Sequence, residues 1–264
     1  LNFEGDQTLS GSGNIVFSST GGNNRVGVDG GSKTLTVASG ITIRGGNGSI
    51  GVGQLVNGSG NVIVNQGLIS SDSGGTISVA QSALVNQSFA EAVGAGSVLR
   101  LDSTVNNSGG VLRSTNGGVV LQNGITVQGG SITNSSGGTY RVAGTSFLDG
   151  VTLSSGSTID MATAAATGRV VNGMTLNGTL SLGSGSLLNM EGDQTLSGNG
   201  SIVFGAGGNN RVGVDGGSKT LTIASGVTIR GADGSIGLGQ LINGSGNRVV
   251  NNGTINSDGG GVIT

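Results

Sequence analysis

Cysteine, proline, histidine and tryptophan are all missing from this chain of 264 residues. Without Cys there is no disulfide scaffold and no thiolate metal site. Without His or Cys there is no histidine-based triad, no thiol nucleophile and no His-ligated zinc. Charged residues make up only 9%, with 11 basic against 13 acidic side chains and a net charge of −2. They are scattered, so the chain has no basic footprint for nucleic acid or an anionic membrane. No apolar run approaches the roughly 20 residues that cross a bilayer as a helix, so no membrane insertion is expected of this segment. Aromatics are 2%, too few for the core of a hairpin sandwich.

What is present is glycine, 58 residues of it. Gly and Ser at this level also occur in flexible linkers. Disorder, however, goes with low hydrophobicity and high net charge. Here 34% of residues are apolar, and Val, Ile, Leu and Thr recur in short clusters. That combination predicts an ordered, strand-rich chain with many turns.

A long stretch occurs twice. NFEGDQTLSGSGNIVF at 2–17 returns as NMEGDQTLSGNGSIVF at 189–204. RVGVDGGSKTLTVASGITIRG at 25–45 returns as RVGVDGGSKTLTIASGVTIRG at 211–231. Residues 2–79 and 189–264 are thus copies in a super-repeat of about 187 residues, with 80–188 as intervening coils. One continuous segment over 1–264, drawn from a repeating array, is the expected organisation.

Within the copies, apolar residues alternate over four or five positions and then break at Gly, Asn or Ser. Thr34-Leu35-Thr36-Val37 and Ile41-Thr42-Ile43-Arg44 are examples, as are Val98-Leu99-Arg100-Leu101 and Thr158-Ile159-Asp160-Met161. Period-two alternation marks a strand with one buried face. Arg25, Arg44, Arg100, Arg141 and Asp160 all fall on the polar face, consistent with the cost of burying unpaired charge. Strands this short suit the coils of a solenoid, where like residues stack on the next coil. The fold class expected is all-β, a right-handed parallel β-helix (β-solenoid) of about 11–13 coils at roughly 20–24 residues each, with little or no helix. Gln81–Val93 is the one helix candidate, and Met161–Thr167 a weaker second. Asparagines recur beside strands, among them Asn61, Asn65, Asn86, Asn106, Asn172, Asn189 and Asn251. They fit left-handed turn positions first and a stacked amide ladder second.

The run from Leu55 to Val79, LVNGSGNVIVNQGLISSDSGGTISV, has a second copy ending in NNGTINSDGGGVIT. Gly109-Gly110-Val111-Leu112, Asn116–Leu121 and Gly129–Asn134 carry the same rhythm. It resembles the repeats of large bacterial surface proteins, the filamentous-haemagglutinin-like and autotransporter-type adhesins. The resemblance implies a right-handed parallel β-helix exported to the bacterial cell surface or beyond.

Chemistry has few footholds. Glu4 with Asp6 and Glu191 with Asp193 are the densest acidic pairs, and they are repeat equivalents, which suits a structural feature better than a catalytic one. No catalytic, cofactor-binding or metal residue is assigned, and no cofactor is expected. Asp29, Asp215, Asp72 and Asp258 sit in single Gly-rich turns; calcium would need six to eight oxygens, so turn-capping is the reading for them. Lys33 and Lys219 follow two of those turns, and Arg44 and Arg230 end the next strands; this strip reads first as a solvated face and second as a line of salt-bridge contacts along a fibre. Thr34/Thr36 and Thr220/Thr222 do not extend into the regular threonine array an ice-binding face requires. Asn57, Asn177, Asn243 and Asn252 match the glycosylation pattern, as chance allows in such a composition. Tyr140, Phe17 and Phe204 are expected in the core.

The function expected is structural and not enzymatic: a shaft or fibre segment giving reach, rigidity or self-assembly, outside the cell. Its partners would be neighbouring repeats end to end. The alternative is an adhesin region that binds glycan, host or matrix components. A β-helical polysaccharide-degrading enzyme is the remote third reading.

Overall fold

The computed structural model describes residues 1–21, 23–53, 58–163, 165–183, 185–237, 239 and 244–264. Among these, the regular elements are 34 strands of two to five residues, from Asn2–Glu4 to Thr254–Ser257, and no helix. All pair in parallel, and the chain is an all-β parallel β-solenoid of about 11 coils. Two compact units are present, Leu1–Tyr140 and Arg141–Thr264.

In the first unit, each coil gives one strand to each of three sheets. One sheet runs Asn2–Glu4, Arg25–Asp29, Gly48–Ile50, Thr76–Val79, Val98–Leu101 and Val119–Asn123. The next runs Gln7–Leu9, Thr34–Val37, Val62–Asn65, Ala83–Asn86, Val105–Asn106 and Thr126–Gln128. The last runs Gly13–Phe17, Ile41–Gly45, Leu68–Ser71, Phe89–Val93, Val111–Thr115 and Ser131–Ser135. The second unit repeats this plan, with Thr167–Val171 on Leu187–Glu191, Met174–Leu176 on Gln194–Ser197 and Thr179–Leu182 on Ser201–Phe204.

Coil length is less uniform than the sequence rhythm predicts. Thr34 pairs with Val62, and Val62 with Ala83, steps of 28 and 21 residues. The Asp29-Gly30-Gly31 turn leads into Thr34, with Gly30 at φ 87°. An L side chain rarely adopts that conformation, so glycine closes the turn.

The core is a set of stacked columns. Leu35, Ile63, Leu84, Val105 and Val127 follow one another in register, each fully buried. Ile43, Ile69, Ala90, Leu112 and Ile132 form a second such column. In the second unit Ile159, Leu180, Ile202 and Ile229 form another. Each large aliphatic side chain buried this way contributes about 1.5–3 kcal/mol. Alternation put the right residues inside at Thr34–Val37 and Thr220–Ile223, which share one burial pattern; Arg25–Asp29 and Arg211–Asp215 share another, buried from the second residue on.

Two expectations are corrected. Gln81–Val93 is not a helix but two strands, Ala83–Asn86 and Phe89–Val93. Gln81 has φ 64°, which breaks a right-handed helix at its start. Leu84, Asn86, Ala90 and Ala92 then point inward at period two. Likewise, the strands Thr158–Met161 and Thr167–Val171 flank the second candidate, with Ala164 outside the described residues.

The asparagine reading is also revised. Asn172 does occupy a left-handed turn, at φ 55°. Asn65 and Asn86, by contrast, are inward and form a ladder with Asn107, the neighbour of the expected Asn106. Asn65 Nδ2 donates to Asn86 Oδ1 at 2.8 Å, and Asn86 Nδ2 to Asn107 Oδ1 at 2.7 Å. All three are fully buried. Coil stacking sets like amides one strand apart, so the donor of one meets the acceptor of the next.

Candidate functional site

The acidic pairs of the two copies serve the turns. Asp6 Oδ1 accepts the Thr34 amide at 2.9 Å, and Asp193 Oδ1 the Thr220 amide at 2.8 Å. Lys219 lies 3.8 Å from Asp193. Glu191 pairs with Arg169, whose guanidinium lies 4.5 Å from the Phe147 ring centroid.

Asp29 and Asp215, expected as turn residues, are buried. Each is 1% exposed. Asn2 donates its amide to Asp29, and Asn189 donates to Asp215 at 2.5 Å. Both bonds join residues a coil apart. Asn61 then braces the turn from the following coil, accepting the Lys33 amide at 2.9 Å and donating to the Val28 carbonyl at 2.9 Å. Asn247 repeats this on Lys219 and Val214. A cavity of about 40 Å³ beside Asp29 is lined by Gly51, Gly53, Asn61, Gln81 and Ser82. Among the described residues, no three acidic side chains gather into a group that could hold a metal ion.

Asp72 and Asp258 also do more than cap turns. Arg44 meets Asp72 at 2.7 Å and Arg230 meets Asp258 at 3.2 Å. The sequence shows these residues as separate turn and strand-end features; the coil stacks them side by side. In the second unit, Arg141 Nε donates to Asp160 at 3.0 Å. Burial opposes ionisation of Asp160. Hydrogen bonds from the Thr163 hydroxyl, Arg141 and the amides of Ala162 and Thr163 outweigh it and hold the carboxyl below its ordinary range. Asp233 is held low by the amides of Gly207 and Val262.

Tyr140 lies in the core as expected, fully buried, and its hydroxyl donates to Gln122 Oε1 at 3.0 Å. Phe17 and Phe204 are buried at 4% and 2%, whereas Phe89 is 39% exposed. Thr34, Thr36, Thr220 and Thr222 stay on the outer faces, as alternation requires. Asn57 and Asn243 lie outside the described residues.

One outer face departs from the flat surface of a sheet. On the third sheet of the first unit, Ser70 and Glu91 point outward yet are only 2% and 5% exposed. Ser70 Oγ donates to Glu91 Oε1 at 3.0 Å, and Arg113 Nε donates to Oε2 at 2.7 Å. The Arg113 guanidinium also lies 4.4 Å from the Phe89 ring centroid. Ser70 and Glu91 are the floor of a groove of about 280 Å³, walled by Asn14, Thr42, Arg44, Asp72, Leu68 and Val93. Sequence reasoning missed Glu91 because it fell in the helix candidate. Strand alternation from Ala83 places it outward, in register with Arg113 of the next coil. Comparison of the chain with protein-family models, curated proteins and solved structures gave no match.

Proposed function

We propose that the chain is a structural segment of a secreted or cell-surface β-solenoid fibre or adhesin shaft, without enzymatic activity. One observation carries this reading: the two sequence copies fold into matching strands with matching burial, and their charged residues hold coil to coil. A repeat whose charges bond neighbouring coils is a building unit. The resemblance to bacterial surface repeats supports an extracellular place. The partner is a neighbouring coil of the same kind, end to end. Parallel strand edges favour such pairing.

Electron microscopy of the purified full-length protein tests the proposal. Regular filaments or rods of constant width support it. Compact particles that depolymerise a polysaccharide would overturn it.

A further inference from the structure

The groove over Ser70 and Glu91 has the chemistry of a binding site. An outward residue on a regular sheet face stays wet, and here a carboxylate is 95% shielded on such a face because Arg113 and Phe89 close over it. Its charge is met one for one. Glu91 is held by Arg113, and Asp72 is held by Arg44 at 2.7 Å. The walls therefore offer no surplus charge of either sign, which disfavours phosphate, sulfate or a polyanion.

Polar valences nevertheless remain open. Arg44 is about half exposed, at 47% of its side chain. A guanidinium has five donors in a fixed fork, and Asp72 engages only part of them. Thr42 and Asn14 add a hydroxyl and an amide on the same wall, each both donor and acceptor. Leu68 and the exposed Phe89, neighbours in register, supply an apolar patch at one end of the groove, and Val93 a smaller one at the other. A ligand matching this pattern is uncharged, carries many hydroxyls that both donate and accept, and has C–H faces for the apolar patches. Strands repeat at about 4.8 Å across the groove, close to the length of one sugar ring. The volume of about 280 Å³ suits a short stretch of such a chain.

We infer that this groove is a subsite for a neutral oligosaccharide, laid across the strands Ile41–Gly45, Leu68–Ser71 and Phe89–Val93. It is independent of the shaft reading: a fibre without a glycan site and a glycan site on a lone rod are both coherent outcomes.

Amide chemical shifts of the ¹⁵N-labelled chain are the readout. The probes are cellotetraose, mannotetraose and isomaltotetraose, with tetragalacturonate as the acidic comparison. A neutral probe is expected to shift the amides of Thr42, Ser70 and Val93 saturably, with a Kd near 1 mM. Thr42→Trp and Leu68→Arg, both at outward positions, fill the groove and should each weaken binding by about tenfold. Thr228→Trp, at the equivalent position of the second copy, should change it less than about twofold. The spectrum itself reports whether each variant is folded, so either groove variant suffices. The inference is overturned if no neutral probe shifts these amides, if tetragalacturonate binds as tightly, or if binding survives in the folded groove variants.

Discussion

The amide of Asn65 donates to the side-chain oxygen of Asn86 at 2.8 Å, with both residues fully shielded from solvent. Asn86 passes the contact on to Asn107, whereas the position before Asn65 in the column is Val37. Asn86 is therefore the centre of the ladder and Asn65 its end, where Oδ1 has no partner among the described residues. Asn86→Val strands a donor on one side and an acceptor on the other. It should cost about 2–3 kcal/mol, and Asn65→Val about 1 kcal/mol. Urea unfolding followed by circular dichroism ranks the two; equal midpoints would contradict the ladder.

Gly48 and Gly234 are repeat equivalents that lie against the rings of Phe17 and Phe204. Neither has a left-handed φ, so space alone is at issue. A Cβ at either position would overlap the ring. Gly48→Ala and Gly234→Ala should each destabilise by about 1–3 kcal/mol through overpacking. Gly13→Ala, where a Cβ meets nothing within 4 Å, should stay within about 0.5 kcal/mol. Thermal melts of the three variants separate crowding from a general intolerance of side chains.

Tyr140 is the sole tyrosine, so its titration is readable without interference. Burial pushes its phenol well above the ordinary value. The neutral form is the one the fold holds, so the contribution to stability is intact below about pH 10 and declines above it. Phenolate absorbance at alkaline pH should rise only together with loss of the strand signal. A free titration near pH 10 in the folded chain would contradict the buried Tyr140–Gln122 bond. Tyr140→Phe should cost about 1–2 kcal/mol.

Asp160 titrates in the opposite sense. Its folded carboxyl is held below the ordinary value. The stabilisation is complete above the unfolded value of about 3.9 and disappears as pH falls through the folded one. Asp160→Asn should cost about 1 kcal/mol at pH 7, and the gap from the parent should shrink below about pH 4. Unfolding midpoints at pH 7 and pH 3 test this; a gap that widens in acid would contradict it.

Strand existence was legible wherever side chains alternated, because alternation reports directly which face is wet. Leu35 with Val37, and Ile41 with Ile43, are inward as read. The reading failed at Gln81–Val93, where Ala, Glu and Gln favour a helix locally and stacking on Leu68–Ser71 and Val111–Thr115 overrides them. Nor did it name the partners of Asp29, Asp72 and Asn65, which lie a coil away. Nothing local in the chain states how long each coil is.

The sequence by itself determined the strand period, the turns and the repeat. The strand period and the turns depend on neighbours one to four positions apart, and the repeat is visible on laying 2–79 against 189–264. The tertiary structure alone decided that Arg44 meets Asp72, that Asn65, Asn86 and Asn107 stack, and that Ser70 and Glu91 sink beneath Arg113. Those contacts join residues 21 to 28 positions apart, and which residues meet is set by coil registration. Registration follows from how the columns of Leu, Ile and Val pack, a property of the whole stack and of no single coil.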